Sequence, residues 1–550
     1  MADRGAVAHA ETQSQEIELT EVLTSPIGLG AEDSQDLAIL KEYADFWKVP
    51  YTLEQLQDRN QLLFSAGLID GSVVSPEGRP VIISPIGIEE AKNIAARFGL
   101  EAFREEATVR LPVSPGTFVS LKTTLNQFSG SGLKPMLKDG SITILHQVLG
   151  SNVHLLSADL VSDYDRLIYG GLDDNPSWKF RALAMMPFSY DKIPSSIRNR
   201  FFNARKGIAQ FKEDMLGPVE CLRTIFLASL LVASGKTIPR IGFWRRGKSH
   251  SLAVSHDVET KVGLEDGASR LVEVERELDI HSTWNIPSER YPLSSQLLTY
   301  LTKTGEVGGH DTKHDGRLVF AGFKGMVERL IRCRETLELL TNSEIRGFRS
   351  PLLQHSREIL DAVGKAGYKF DSSVPSWEAL SPTSLKPHGV GTIFPFSVSG
   401  VTEIPVSLPQ DHQLIRVGGL DISQAVDRLI DVSKWIKGIG GPCVLLVHPD
   451  YEFGLETGQE EYRRLLQSFR SDSGCDIMTL GEMAAWWTNR EQSQINILEG
   501  KVILQQANGP TAADGLELEF VTEYGTEGFK VERLADSNVA NYREARRSSS

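Results

Sequence analysis

Cysteine is scarce. The chain of 550 residues carries four thiols, Cys221, Cys333, Cys443 and Cys475, and no two stand as C-x-x-C. That spacing excludes a disulfide scaffold and fits a reducing compartment. Cys333 and Cys443 sit inside apolar runs and read as small buried hydrophobes. Long apolar runs are missing too. The longest, IFLASLLVA at 225–233, is far too short to cross a bilayer and reads as a buried helix. The first sixteen residues are polar and lack the apolar core of a signal peptide, so the expected location is cytoplasmic. Positive charge is outweighed: 58 Lys and Arg stand against 72 Asp and Glu, a formal net charge of -14. Such a chain has no electrostatic pull toward nucleic acid or anionic lipid, so neither is expected as a partner. The locally basic stretch RIGFWRRGK at 240–248 reads as a linker lying on the surface.

The length exceeds what one hydrophobic core serves, and the patterns change along the chain. Residues 1–16 read as disordered. Residues 17–240 mix strand-like and helix-like segments, including VIIS at 81–84 followed by Pro85-Ile86-Gly87 and a helical pattern at 88–98. Strand candidates follow at 141–148 and 153–158. This predicts an N-terminal α/β domain with a partly parallel sheet. Its role is open. From 241 to 490 strand and helix patterns alternate. Strands are predicted at 251–254, 282–286, 345–349, 368–371 and 443–447, and helices at 264–278, 293–303, 326–340, 357–366, 422–436 and 460–469. Repeated β–α units of this length predict a parallel (β/α) barrel, with an open doubly wound sheet as the alternative. Residues 491–550 alternate like strands at 495–504 and 516–521 around Asn508-Gly509-Pro510. They predict a small β appendage with a polar tail at 543–550.

Polar residues gather where the predicted strands end, and in a parallel barrel those ends form one rim. The first strand ends in Ser255-His256-Asp257-Val258-Glu259 and a Gly-rich segment in His310-Asp311-Thr312-Lys313-His314. Later strands end in Arg349-Ser350-Pro351, in Asp371 and in His448-Pro449-Asp450. His310 and His314, four apart, would face one side of a helical turn. With one carboxylate they make a two-His-one-carboxylate set for a divalent ion; zinc suits it, and cobalt, nickel, iron or manganese also bind such ligands. Asp257 and Glu259 divide the work as metal ligand and proton acceptor, or Asp257 caps the next helix. Arg349 pairs with Asp257 or makes a structural ion pair. His448 is a proton donor tuned by Asp371, or a hydrogen-bonded core histidine.

The ordered set SHDVE, HDTKH, RSP, DSSVPSW and LVH resembles the five motifs of the polysaccharide deacetylase family, over about 245 residues. The resemblance implies a deformed (β/α) barrel and a hydrolase acting on non-peptide carbon–nitrogen bonds, removing an acyl group from a sugar-like or small acylated substrate. It implies Asp257 as general base, His448 as general acid, Arg349 positioning the base and Asp371 tuning the acid. Glu259, His310 and His314 are implied as metal ligands. Leu352 (through its backbone N–H), Leu446 (as an apolar wall) and Trp377 are implied as substrate-binding. The chain departs from the family pattern at Glu259, where Asp is usual, at Asp311, where Ser or Thr is usual, and at Leu352-Leu353, which replaces aromatic-Gly. These departures motivate a second reading, a non-catalytic carbohydrate-binding or scaffold protein on the same barrel; a third, related by fold, is an amidohydrolase of small non-sugar amides that works without metal. Oligomeric state is not legible.

Overall fold

Two runs of unbroken burial mark the centre of the second half of the chain. All eight residues of His250–Asp257 and all six of Pro442–Val447 are buried, as expected of parallel strands covered on both faces. The computed structural model describes residues 22–53, 61–69, 79–184, 213–498, 501–505 and 515–533. The disorder expected at 1–16, the turn at 508–510 and the tail at 543–550 lie outside them.

The barrel strands are β1 (His250–Asp257), β2 (Thr283–Ile286), β3 (Glu306–Gly309), β4 (Gly347–Phe348), β5 (Phe370–Asp371), β6 (Val401–Glu403), β7 (Pro442–Val447) and β8 (Cys475–Met478). Parallel ladders join β6-β5-β4-β3-β2-β1-β7 in an arc. β8 pairs with the first half of β1 and β2 with its last residues. A short strand, Phe396–Val398, adds antiparallel to β6. Between β6 and β7, ties replace a ladder: Leu408 N–H donates to Val444 O at 3.2 Å, and Ser407 bridges Pro442 O and Val444 N. The sheet is therefore an incompletely closed barrel. Helices such as Gly322–Thr341, Arg357–Lys365 and Ile422–Gly438 follow its strands and bury one face each.

Before the barrel, a seven-stranded sheet contains Val81–Ser84, Val153–Leu156 and Ile142–Val148. Five of its strands run parallel, and the last two join antiparallel. Charged residues hide a long hairpin, Glu101–Ser114 with Thr117–Ser129, from the sequence pattern. The apolar run at 225–233 lies in helix Pro218–Ser234, buried almost all round. One continuous apolar cluster includes Leu40, Phe226, Leu252 and Val521, so the N-terminal sheet, the barrel and the C-terminal strands pack on each other. Strand Ile238–Ile241 pairs with Leu518–Gly525, which pairs with Gly528–Arg533. The 240–248 stretch is not a free linker. Arg240 is buried against Glu519 at 2.8 Å, and the partly exposed Arg245 pairs with Asp476 at 3.1 Å, so the stretch is tied to the fold at both places.

Candidate active site

β1 and β7 run in register, with Ser255 opposite Leu446 and His256 opposite Val447. One step further brings Asp257 beside His448. Side chains alternate across a strand, so Ser255 and Asp257 share the inner face while His256 points out. His256 stacks on Trp284 at 4.0 Å and is held by Val447 O at 3.1 Å and Glu275 Oε1 at 2.7 Å. It is a structural strut between strand and helix.

Asp257 does not cap a helix. Its Oδ1 accepts from Asn285 Nδ2 at 2.9 Å and Arg349 Nη1 at 3.2 Å. Arg349 is fully buried and also donates to Ser255 Oγ, Ser372 O and Ser372 Oγ at 2.7–2.8 Å. Burial alone would raise the Asp257 pKa, but His310, Arg349, His448 and the Asn285 hydrogen bond together hold it down to about 2. The carboxylate is thus fixed and ionised at neutral pH. Replacing Arg349 by Met is expected to destabilise the fold by about 3–5 kcal/mol, because it leaves a buried charge unpaired. Urea unfolding checks this; an unchanged midpoint would show that the pair carries no such energy.

His310 and His314 are brought together by left-handed bends, not by the helical turn expected from their spacing: φ is +65° at Asp311 and +49° at His314. Arg329 locks the loop by gripping Asp311 through Nε and Nη2, each at 2.5 Å, and by reaching Asp315. This accounts for an acid at 311. His310 Nδ1–H donates to Arg349 O at 2.8 Å, which leaves the lone pair on Nε2. That Nε2 is buried without a hydrogen-bond partner and lies 3.8 Å from Asp257 Oδ2. His314 Nε2 lies 3.6 Å from Glu259 Oε1, and the two rings are 4.8 Å apart. Glu259 Oε2 accepts from Tyr451 Oη at 2.6 Å. Burial pushes both imidazole pKa values down, that of His314 to about 3, so both are neutral.

Neutral imidazoles, an orphaned buried nitrogen on His310 and ionised carboxylates are donor types that a divalent ion takes. The four side chains stand as two facing pairs, Asp257–His310 and Glu259–His314, rather than as a closed trio. Among the described residues, the one group of three whose ligand atoms all lie within 4.8 Å of one another is elsewhere, at Asp174, His355 and His388. Arg290 also presses on the site: its Nη1 donates to His314 O at 2.6 Å and lies 3.2 Å from His314 Nδ1.

The expected Asp371–His448 pair is not formed. His448 Nδ1 meets Asp411 Oδ1 at 2.7 Å, and its backbone N–H donates to Asp411 Oδ2 at 2.8 Å. Burial lowers the His448 pKa, but Asp411, Glu259 and Asp257 outweigh it and raise it to about 10. Asp371, on β5, is across the β6–β7 opening from β7. It accepts from Ser373 N and Oγ at 2.9 Å, and Ser373 Oγ accepts from Ser350 N at 2.8 Å, so Asp371 props the loop after Arg349. Its ladder neighbour Glu403 is buried beside it, and burial pushes both carboxyls up. Asp411 was missed because 404–412 shows neither strand nor helix periodicity.

Leu352 and Leu353 take left-handed backbone (φ +60° and +49°), a strain of about 1–2 kcal/mol each for such residues. Strain of this kind concentrates at functional loops. Leu446 packs with Leu353 and Val406 in a small cluster apart from the main core. Trp377 is half-buried against the main core.

No protein-family model matches the sequence, and no curated protein matches it. Among solved structures, similarity covers a little under half of the chain. A protein described as a polysaccharide deacetylase from Mycobacterium smegmatis is 18% identical over 44% of this chain and 91% of its own, with a TM-score of 0.38. Puue allantoinase is 14% identical over 45% and 92%, with a TM-score of 0.35. The peptidoglycan deacetylase PdaC from Bacillus subtilis is 12% identical over 44% and 95%, with a TM-score of 0.31.

Proposed function

We propose that the barrel hydrolyses an N-acyl amide on a sugar-like substrate, using Asp257 as base and His448 as acid. The observation that carries this reading is the pairing of oppositely tuned groups on one rim. The Asp257 pKa is held down to about 2 and that of His448 is raised to about 10, from the last residue of β1 and the residue that follows β7. Groups whose environments push their pKa values apart are the signature of acid–base division.

Glu259, His310 and His314 would hold a divalent ion, zinc by ligand type, with cobalt, nickel, iron or manganese as alternatives. When bound, such an ion supplies Lewis-acid polarisation of an acyl carbonyl. The chain's own residues do the rest. Asp257, oriented by Arg349 and Asn285, takes a proton from a water as the water oxygen bonds the carbonyl carbon. The N–H of Leu352 is available to the developing oxyanion. His448, with Nδ1–H on Asp411, gives the proton on Nε2 to the leaving nitrogen as the carbon–nitrogen bond breaks. Leu446 faces the inner side and offers an apolar wall to a short acyl group, while Trp377 is assigned to the sugar.

Acetylated amino sugars and short chitooligomers are the substrates to assay. Stripping the protein with a chelator is expected to lower activity by at least about 10²-fold, with recovery on adding zinc or cobalt. The Arg290–His314 contact favours one rival, an amidohydrolase of small amides that uses no metal. That rival predicts full activity after stripping and in His314→Ala; the metal reading predicts loss in both.

A further inference from the structure

We infer that Asp174, His355 and His388 form a second cation site, distinct from the rim of the barrel, which takes a zinc-class divalent ion and clips three chain segments together. A carboxylate oxygen of Asp174 and one nitrogen of each histidine all lie within 4.8 Å of one another. Asp174 Oδ2 is 3.8 Å from His388 Nδ1, and the two imidazoles stack with centroids 5.2 Å apart. The side chains are buried, His355 completely and the other two to within a few per cent.

Hydrogen bonds fix which nitrogen of each ring is free. His355 Nδ1 lies 2.8 Å from Leu353 O, an acceptor only, so it carries the proton and Nε2 carries the lone pair. His388 Nε2 lies 3.1 Å from Glu378 Oε2, so Nε2 is the donor and Nδ1 has the lone pair. His355 Nε2 and His388 Nδ1 are both buried without a hydrogen-bond partner. Two lone pairs and a carboxylate oxygen therefore converge where no protein donor meets the nitrogens; the Gly171 backbone carbonyl is near enough to His355 to compete as a hydrogen-bond acceptor. Convergent acceptors repel unless a positive charge, a metal ion or a further proton, lies among them. Carboxylate–histidine and carbonyl–histidine contacts of this kind are what orient metal-binding imidazoles. Two nitrogens with one carboxylate oxygen suit zinc, cobalt or nickel over magnesium or calcium.

The surroundings are rigid. Glu378 and His388 exchange backbone hydrogen bonds at 2.8 and 3.0 Å, and Gln410 Nε2 donates to Glu378 Oε1. Ser381 Oγ donates to Asp174 Oδ2, and Asp174 N–H reaches His355 O at 3.3 Å. Gly171 packs so close to Gly389 that a Cβ at 171 would collide with the Gly389 carbonyl. The ion would pin the segment before helix Trp178–Ala184 to the loop that follows Leu352. Phe180 of that helix and Leu352 both lie against Gly316, so the clip would fix an aromatic segment beside the proposed reactive rim.

The test is metal content of the full chain after stripping and reloading with zinc alone, measured by elemental analysis and by competition with a chromogenic chelator. Expected stoichiometries are about two ions per chain in the parent and about one in either His310→Ala or His388→Gln. The double variant should bind none. Glu378→Gln, which leaves all three ligands in place, should weaken the second site by about 10–100-fold. If His388→Gln does not fold by circular dichroism, Asp174→Asn replaces it. Parent and His388→Gln binding equal zinc would overturn the second site. Parent and His310→Ala binding equally while His388→Gln loses an equivalent would sink the rim metal and leave the clip standing.

Discussion

Asp257→Asn is expected to lower kcat on an N-acetylated amino sugar by about 10²–10⁴-fold, the range for loss of a positioned general base, with the fold retained. Asn keeps an acceptor oxygen for Asn285 Nδ2 and Arg349 Nη1, which both bond Oδ1 of the native carboxylate. Its amide nitrogen then takes the place of Oδ2, 3.8 Å from the orphaned Nε2 of His310. The variant has an N–H donor where the native protein has a proton acceptor. The water that attacks would have nowhere to send its proton, although the loop geometry hardly changes. A second signature separates this from general damage. The native carboxylate is ionised above about 2, so proton acceptance at 257 imposes no limit on the neutral-pH rate. The variant should be slow at every pH rather than shifted along the pH axis. Steady-state kinetics from pH 5 to pH 10 check this, and a variant as fast as the parent would remove Asp257 from the base role.

The rim was legible because chemistry there is tied to strand ends. His310 and His448 follow a Gly-rich and an apolar run, Asp257, Glu259 and Arg349 stand at the ends of predicted strands, and the β1–β7 register brings Asp257 and His448 side by side. The helical-turn argument for His310 and His314 reached the right neighbours by the wrong geometry. Two residues with positive φ, held by the Arg329–Asp311 pair, do what the turn was expected to do. Asp411 was illegible because it stands in an aperiodic segment, and nothing local distinguishes its carboxylate from other acids near turns. Asp371 looked right because it ends a strand, but its strand lies on the far side of the barrel opening. The Asp174, His355 and His388 group draws one residue from the N-terminal region and two from loops. Such a set emerges only when the chain is folded.

Asp411→Asn should therefore move the alkaline limb of the rate profile, and Asp371→Asn should not. The His448 pKa is pushed up from its ordinary 6.5 to about 10: burial opposes the charge, while the Asp411 carboxylate at 2.7 Å and the nearby Glu259 and Asp257 favour it. A general acid works only while protonated, so native activity falls as pH rises through the folded pKa. Removing the Asp411 charge leaves burial less opposed and is expected to bring that limb down by about 1–3 pH units. The loss should be small at pH 6 and large at pH 9. A cation beside Glu259 would lower the limb in parent and variant alike, so the sign of the difference is unaffected. Stability must move the same way. A histidine with a folded pKa above 6.5 contributes stability that is complete below about 6.5 and is lost as pH rises toward 10. In Asp411→Asn that contribution should shrink and disappear at lower pH, visible in unfolding midpoints measured across the same range. Asp371→Asn, which alters the prop under Ser350, should change the midpoint without shifting the limb. If Asp371→Asn moved the limb and Asp411→Asn did not, the assignment of His448's partner would be reversed.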